Sequence, residues 1–129
     1  MDNDYRVEIS ESSRELTPKE RVSLKSNGGA VKLDEATRNG ELLIKPVGYA
    51  VLSIHNEKGK DKDYKQYVIF DDDGTKYVTG SKPFFDSFID IYNELNDETG
   101  KQIEDYSLRI FRRPSKNYQG KEFIACDVI

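Results

Sequence analysis

The run from Leu42 to Ile54, LLIKPVGYAVLSI, constrains the fold of this chain more than any other feature. It reads as one long strand, with Ala50, Leu52 and Ile54 on one face and Tyr49, Val51 and Ser53 on the other. Pro46 and Gly48 lie inside it. Proline avoids central ladder positions and a strand glycine marks a bulge or sharp bend, so the first half must coil or lie at an edge. A strand bent in this way suits a small barrel, in which it pairs on two sides.

The segments that follow extend the pattern. A charged loop, NEKGKDKD, leads to a second strand at Tyr64–Phe70, an acidic turn at Asp71–Gly74 and a third strand at Thr75–Thr79, which together form an antiparallel meander. The period then changes. Phe84 or Phe85, Phe88, Tyr92 and Leu95 recur at three- and four-residue steps, Ser81 can cap the start and Pro83 falls in the first turn, which predicts a helix. Its polar positions Asp86, Asp90 and Glu94 step by four and form a solvated face, while Phe84, Phe85 and Phe88 are expected to plug the barrel end. Two further β-rich runs, Asp105–Arg113 and Lys121–Ile129, flank PSKNYQG and read as a final hairpin.

Three strands, one helix and two strands over residues 41–129 is the order of the OB-fold. The expected class is therefore all-β with one helix: a five-stranded Greek-key barrel with a helix between its third and fourth strands. A small α+β sheet with the helix on one face is the alternative. Residues 1–40 lie outside that barrel and are expected to form an N-terminal arm with a short edge strand or hairpin. SESSRELTPKE has no sustained periodicity, and short β-like pieces occur at Arg21–Lys25 and Ala30–Leu33.

Composition excludes several classes. The 129 residues are 34% charged, with a mean hydropathy of −0.77 and no run of eighteen apolar residues, so no membrane span is expected. The N-terminus MDNDYRVEIS is acidic where a secretory signal is basic and then apolar, which leads us to expect a soluble, cytoplasmic protein. One cysteine, Cys126, allows neither an internal disulfide nor a cysteine-based metal cluster. His55 is the single histidine and no third residue is evident to orient a Cys-His pair, so no catalytic residues are assigned and no enzyme is expected. No phosphate-binding glycine loop or zinc spacing is present, and Asp71–Asp73 lack the alternate spacing of a calcium loop; no cofactor or metal is expected.

Charge is unevenly distributed. Residues 71–105 carry ten acidic and three basic groups, whereas residues 106–129 carry five basic and two acidic, within a chain of net charge −4. A local positive field attracts polyanions while the remainder keeps the protein soluble. In the stretch RRPSKNYQGKEF, and just before it, Arg109, Arg112, Arg113, Lys116 and Lys121 flank Tyr118. Cations that follow phosphates and aromatic faces that stack on bases are what sequence-tolerant binding of a single strand requires. Lys65 and Tyr67 share a strand face, and if Val68 and Phe70 point inward they join Tyr49 in a stacking platform. Each aromatic has a plainer role open to it: Tyr118 can pack over the loop stem, and Tyr49 can be a half-buried strand tyrosine.

The segment from Gly48 to Leu95, GYAVLSIHNEKGKDKDYKQYVIFDDDGTKYVTGSKPFFDSFIDIYNEL, together with LRIFRRPSKNYQGKEFIACDVI, resembles the single-stranded DNA-binding proteins encoded by phages and conjugative plasmids of Gram-positive bacteria. The ending R-x-PSKNY-x-GKEFI is its most specific piece. The resemblance covers roughly Leu42 to Ile129 and implies an OB-fold that coats single-stranded DNA during replication, recombination or conjugative transfer, with host or plasmid replication and transfer proteins as possible partners. Two departures stand out. Tryptophan is absent, and Ile129 is not followed by the acidic tail of cellular single-stranded DNA-binding proteins, so recruitment through such a tail is not expected.

A competing reading is a small protein-interaction module that binds a host protein through its acidic face. The discriminating feature is whether the acidic helix lies beside the basic hairpin, where it would repel nucleic acid. The arm adds a further expectation. Tyr5, Val7 and Ile9 alternate, so this piece could add as a strand to a neighbouring copy and drive self-association into an oligomer.

Overall fold

The computed structural model describes residues 5–26, 29–59 and 62–129. In chain order these form β1 (Tyr5–Ser12), α1 (Pro18–Lys25), β2 (Val31–Lys32), α2 (Leu33–Ala36), β3 (Leu42–Ile44), β4 (Pro46–Asn56), β5 (Asp63–Asp71), β6 (Lys76–Thr79), α3 (Lys82–Leu95), β7 (Leu108–Pro114) and β8 (Glu122–Val128). The fold is mostly β, with two sheets and, among the described residues, three helices.

The long strand read from the sequence is present, and it breaks at Lys45. Its first part, β3, pairs antiparallel with β7, and its second part, β4, pairs antiparallel with β5. A five-stranded sheet in the order β1-β4-β5-β6-β2 and a three-stranded sheet in the order β3-β7-β8 result. Gly48 marks the bend as expected: the β4–β5 register shifts between Pro46 and Gly48, and a Cβ there would come 2.9 Å from the Phe70 ring. Asp71 fixes the break. Its Oδ1 accepts the Lys45 N–H at 2.9 Å, and the Lys45 carbonyl accepts the Asp72 N–H at 3.0 Å.

The sheets do not close into a barrel, which corrects the five-stranded barrel expected from the sequence. Closure would need a ladder between β6 and β8, and the β6 edge is instead taken by β2, which runs parallel to it with Val31 opposite Tyr77 and Lys32 opposite Val78. The following helix α2 carries Leu33, fully buried in the core shared by the two sheets. Arg112 of β7 donates to the Asp34 carbonyl and to Thr37 Oγ1, so a piece of the N-terminal region occupies the seam.

Both faces of β4 and β5 are covered. Tyr49, Val51, Tyr67 and Ile69 meet the rings of α3 and the inner residues Leu108, Ile110 and Ile124 of the smaller sheet. Ala50, Leu52, Ile54 and Val68 meet Leu16 and Leu24, with Val7, Ile9 and Phe70 at the margin. Such two-sided burial explains why YAVLSI and YVIF read as nearly continuous apolar runs. The N-terminal region provides the second cover. Residues Tyr5 to Ser12 pair along β4 of the same chain, and Arg21–Lys25, expected as a β-like piece, is helical within α1. The sequence carried that signal in Thr17-Pro18-Lys19-Glu20: Thr17 Oγ1 accepts the Glu20 N–H at 3.2 Å and Glu20 Oε1 accepts the Thr17 N–H at 3.0 Å, a reciprocal capping box. Arg14 forks onto the same carboxylate and holds the Glu20 pKa down at about 2.

α3 begins as the sequence reads, with the Phe84 N–H on Ser81 Oγ and Pro83 in the first turn. Its end is tied back to the start of β4. Buried Asn96 donates to the Pro46 carbonyl at 2.9 Å and to the Gly100 carbonyl at 3.1 Å, and it accepts from the Tyr106 hydroxyl. Gly100 sits at φ +91°, and a Cβ there would lie 2.1 Å from the Val47 carbonyl oxygen. Gly100→Ala should therefore destabilise the protein by more than about 2 kcal/mol, because backbone must move as well as adopt a strained φ. Gly120→Ala is the control: φ is +80° but no atom lies within 4 Å, and a loss near 1 kcal/mol is expected. Urea denaturation of the two variants measures the difference.

Candidate nucleic-acid interface

The smaller sheet has an inner and an outer face. Leu108 and Ile110 of β7 are fully buried and Ile124 of β8 nearly so, which places Arg109, Phe111 and Arg113, and opposite them Asp127, Ala125 and Phe123, on the outer face. The Arg109 guanidinium lies 4.8 Å from the Phe111 ring centroid and that of Arg113 lies 5.4 Å from it, giving an Arg-Phe-Arg ladder along one strand. Phe123, beside Arg113 across the ladder, is 49% exposed. The loop that joins the two strands continues the surface. Lys121 closes it through its carbonyl, which accepts the Ser115 N–H at 2.8 Å, and the Tyr118 N–H is held by Ser115 Oγ. Tyr118 itself is 65% exposed and its ring projects to solvent rather than over the stem.

The basic residues of this region divide into three roles. Arg113, Lys116 and Lys121 are exposed and enter no ion pair among the described residues. Arg109 is committed: Asp127 accepts from its Nε at 2.8 Å and from a second nitrogen, and Glu41 lies 3.6 Å away. The hydrogen bonds from Arg109 hold the Asp127 carboxyl below its usual range, and those carboxylates in turn raise the guanidinium. Arg112 points to the inner face and binds the α2 segment, so the structure gives it an architectural contact rather than an open one.

The platform expected on the first and second strands is corrected by the packing. Tyr67 is only 7% exposed, its ring stacked on Phe85 at 4.4 Å between centroids. Tyr49 is half-buried, edge-on to Phe85, Phe88 and Tyr92. Val68 points into a core as expected, with Phe70 packed against it, and what failed is the step from there to an outward Tyr67. Val68 and Phe70 lie under the N-terminal cover, whereas the Tyr49–Tyr67 face turns to α3, and a strand buried on both faces carries no alternation that tells one from the other. Lys65 is exposed but stands on the larger sheet, in a cleft of about 240 Å³ shared with Arg6, Glu8, Ser53, His55, Asp63 and Tyr64. Phe111 and Phe123 were missed. Their signal was the same period of two, in Arg109-Ile110-Phe111-Arg112-Arg113 and in Glu122-Phe123-Ile124, which puts each ring opposite a buried isoleucine's face.

The helix α3 packs against β8, and Ser81 at its start lines a cleft with Glu122 and Phe123. α3 packs through Phe84, Phe85 and Phe88 into the core that contains Ile124, hence on the inner side of the smaller sheet, while Asp86, Asp90 and Glu94 are exposed on its far face. Tyr5, Val7 and Ile9 lie in β1 and pair with Asn56, Ile54 and Leu52 of their own chain, with Val7 and Ile9 packed on the second core.

Other chemistry is absorbed by the fold. Cys126 lies in β8 with its thiol pushed up to about 11 by burial, and His55 is in β4 of the other sheet, so the two form no nucleophile-base pair. Asp71 and Asp73 accept backbone N–H groups of their own turn and of Lys45. No cluster of three metal-ligating side chains occurs among the described residues, and no helix among them is long and apolar enough to cross a membrane. Comparison with protein-family models, with curated proteins and with solved structures finds no match for the chain.

The His55 imidazole is held between Asp63 and Glu57, each at 2.7 Å. Hydrogen bonding to Asp63, then to Glu57, raises its pKa above the ordinary 6.5. The stabilisation from this arrangement is complete below the unfolded value and is lost as pH rises through the folded one. Melting temperature should therefore fall more between about pH 6 and pH 8.5 for the wild type than for His55→Gln. Equal slopes in the two proteins would contradict the assignment.

Proposed function

We propose that the chain binds single-stranded DNA without sequence preference, through the outer face of β7–β8 and the loop between them. The observation that carries this reading is one surface that combines the Arg109–Phe111–Arg113 ladder with exposed Phe123 and Tyr118 and with Lys116 and Lys121, which enter no ion pair among the described residues. Exposed aromatic faces stack on unpaired bases at about 1–3 kcal/mol each, and cations beside them follow the phosphates. Bases in a duplex are already stacked and present no free face, so such a surface favours the single strand. Arg109, neutralised by Asp127 and Glu41, acts through its plane on Phe111 more than through net charge.

The topology supports the same reading. The split strand β3–β4, the meander, α3 and the β7–β8 hairpin follow the strand order of an OB-fold whose barrel is open at one seam, and the loop Ser115–Lys121 then corresponds to the loop between its fourth and fifth strands, a usual oligonucleotide contact. Coating of single-stranded DNA in phage or plasmid replication, recombination or transfer, inside the bacterial cell, is the biological setting that the sequence resemblance suggests.

Fluorescence anisotropy with a labelled oligo-dT at several salt concentrations tests the proposal. Three phosphate contacts, from Arg113, Lys116 and Lys121, should give a slope of log affinity against log salt of about −2, from roughly −0.7 per phosphate. Lys116→Ala with Lys121→Ala should flatten it to about −0.7. Phe123→Ala should weaken binding by about 1–3 kcal/mol with the slope unchanged. Absence of binding at about 20 mM salt, or equal affinity for duplex, would sink the proposal.

A further inference from the structure

The strand β1 stands at the end of the five-stranded sheet, paired on one side with β4 and, among the described residues, open on the other. Of the other sheet ends, β2 has two residues, β3 has three and β8 has seven. Edges as short as β2 and β3 resist unwanted pairing. β1 has eight residues, and from Tyr5 to Ile9 its pairing with β4 is regular, the register shifting only between Ile9 and Glu11. Five residues of regular, open edge are thus available.

Their sequence is self-complementary. Val7 is the centre, with Arg6 and Glu8 on either side of it, both side chains 67% exposed and 3.7 Å apart on one face of the strand. If a second copy of β1 lies antiparallel about a two-fold axis through Val7, Arg6 of each chain faces Glu8 of the other, and Tyr5 faces Ile9. The axis runs perpendicular to the sheet, so the apolar side of one copy continues the apolar side of the other. Neighbouring registers are disfavoured. A slip of two residues sets Arg6 against Arg6 or Glu8 against Glu8, and a slip of one sets the apolar face of one copy against the polar face of the other.

We infer that β1 is the interface of a homodimer, in which two copies of this chain join edge to edge in the register centred on Val7 and form one continuous ten-stranded sheet from the two five-stranded ones. The interaction differs from exchange of a loose arm, since β1 keeps its place on β4 of its own chain. It does not rest on the nucleic-acid reading, although it would bring two β7–β8 surfaces into one particle.

Sedimentation velocity of the full chain over a range of concentrations, without DNA, tests the inference. The wild-type mass should rise from 14.8 kDa toward twice that value. Each opposite pair across a ladder contributes about 0.2–1 kcal/mol and like pairs cost a similar amount, and the two-fold axis doubles every change. Arg6→Glu alone and Glu8→Arg alone should therefore each weaken the dimer by about fourfold to several-hundredfold. An equimolar mixture of the two variants should recover it, because each chain then presents the charge that the other lacks, and the double exchange in one chain should dimerise like the wild type. Circular dichroism of every variant reports folding, which these exposed positions should leave intact. A wild-type mass that stays at 14.8 kDa, or single variants that associate as well as the wild type, would overturn the inference.

Discussion

The break at Lys45 is the constraint on which the other features depend. A single strand running from Leu42 to Asn56 could belong to one sheet only, and its kink lets the two parts serve two sheets that face each other across α3. Backbone groups at such a break lose their ladder partners, and a buried unpaired N–H or carbonyl costs about 1–3 kcal/mol. Asp71 and Asp72 supply partners from one side and Asn96 from the other, by way of Pro46. Burial raises the Asp71 carboxyl, but the N–H groups of Lys45 and Asp72 oppose that shift and favour the ionised form that accepts them. Because the kink turns the smaller sheet onto the larger one, one face of β7–β8 is committed to the core and the opposite face is left to solvent.

What the outer face can do follows from what the inner face uses. Leu108, Ile110 and Ile124 fill the core, and Arg112, of the same parity, reaches the α2 segment. The remaining parity holds Arg109 and Phe111, both half-buried, and Arg113 and Phe123, both exposed. Phe111, half-buried, lies between the two guanidiniums, and Phe123 beside Arg113 leaves about half of its surface in water. Arg109 is kept over the Phe111 ring by two carboxylates, so the ring is oriented before anything binds, and less ordering remains to be done on binding.

Sequence and structure agree where the hydrophobic period was unambiguous. α3 has a helical stripe with a serine cap and an early proline, and both its bounds and its buried rings were legible from them. The bent first strand was legible because Pro46 and Gly48 have few other uses inside an apolar run. The faces of β4 and β5 were not. Both are buried, so Tyr49 and Tyr67 could be assigned outward by a choice the pattern did not contain, and the cover over the second face came from α1 and β1, a region that looked too polar to pack. Its anchoring residues are sparse, chiefly Leu16 and Leu24, and its helix depends on a capping box at Thr17–Glu20 rather than on an apolar stripe. Seam closure was equally hidden, because a two-residue strand such as β2 has no periodicity to detect.

The central claim is that the outer face of β7–β8, and not the cleft at Arg6, His55 and Lys65 on the larger sheet, receives a single strand. Backbone amide shifts of the full chain, followed by heteronuclear NMR during titration with a short oligo-dT, test it most directly. The account predicts changes concentrated from Arg109 to Ala125 on the outer face and loop, with the amides of α3 and of the cleft at Arg6, His55 and Lys65 undisturbed. Changes centred on that cleft instead, or a spectrum that oligo-dT leaves unaltered, would contradict it.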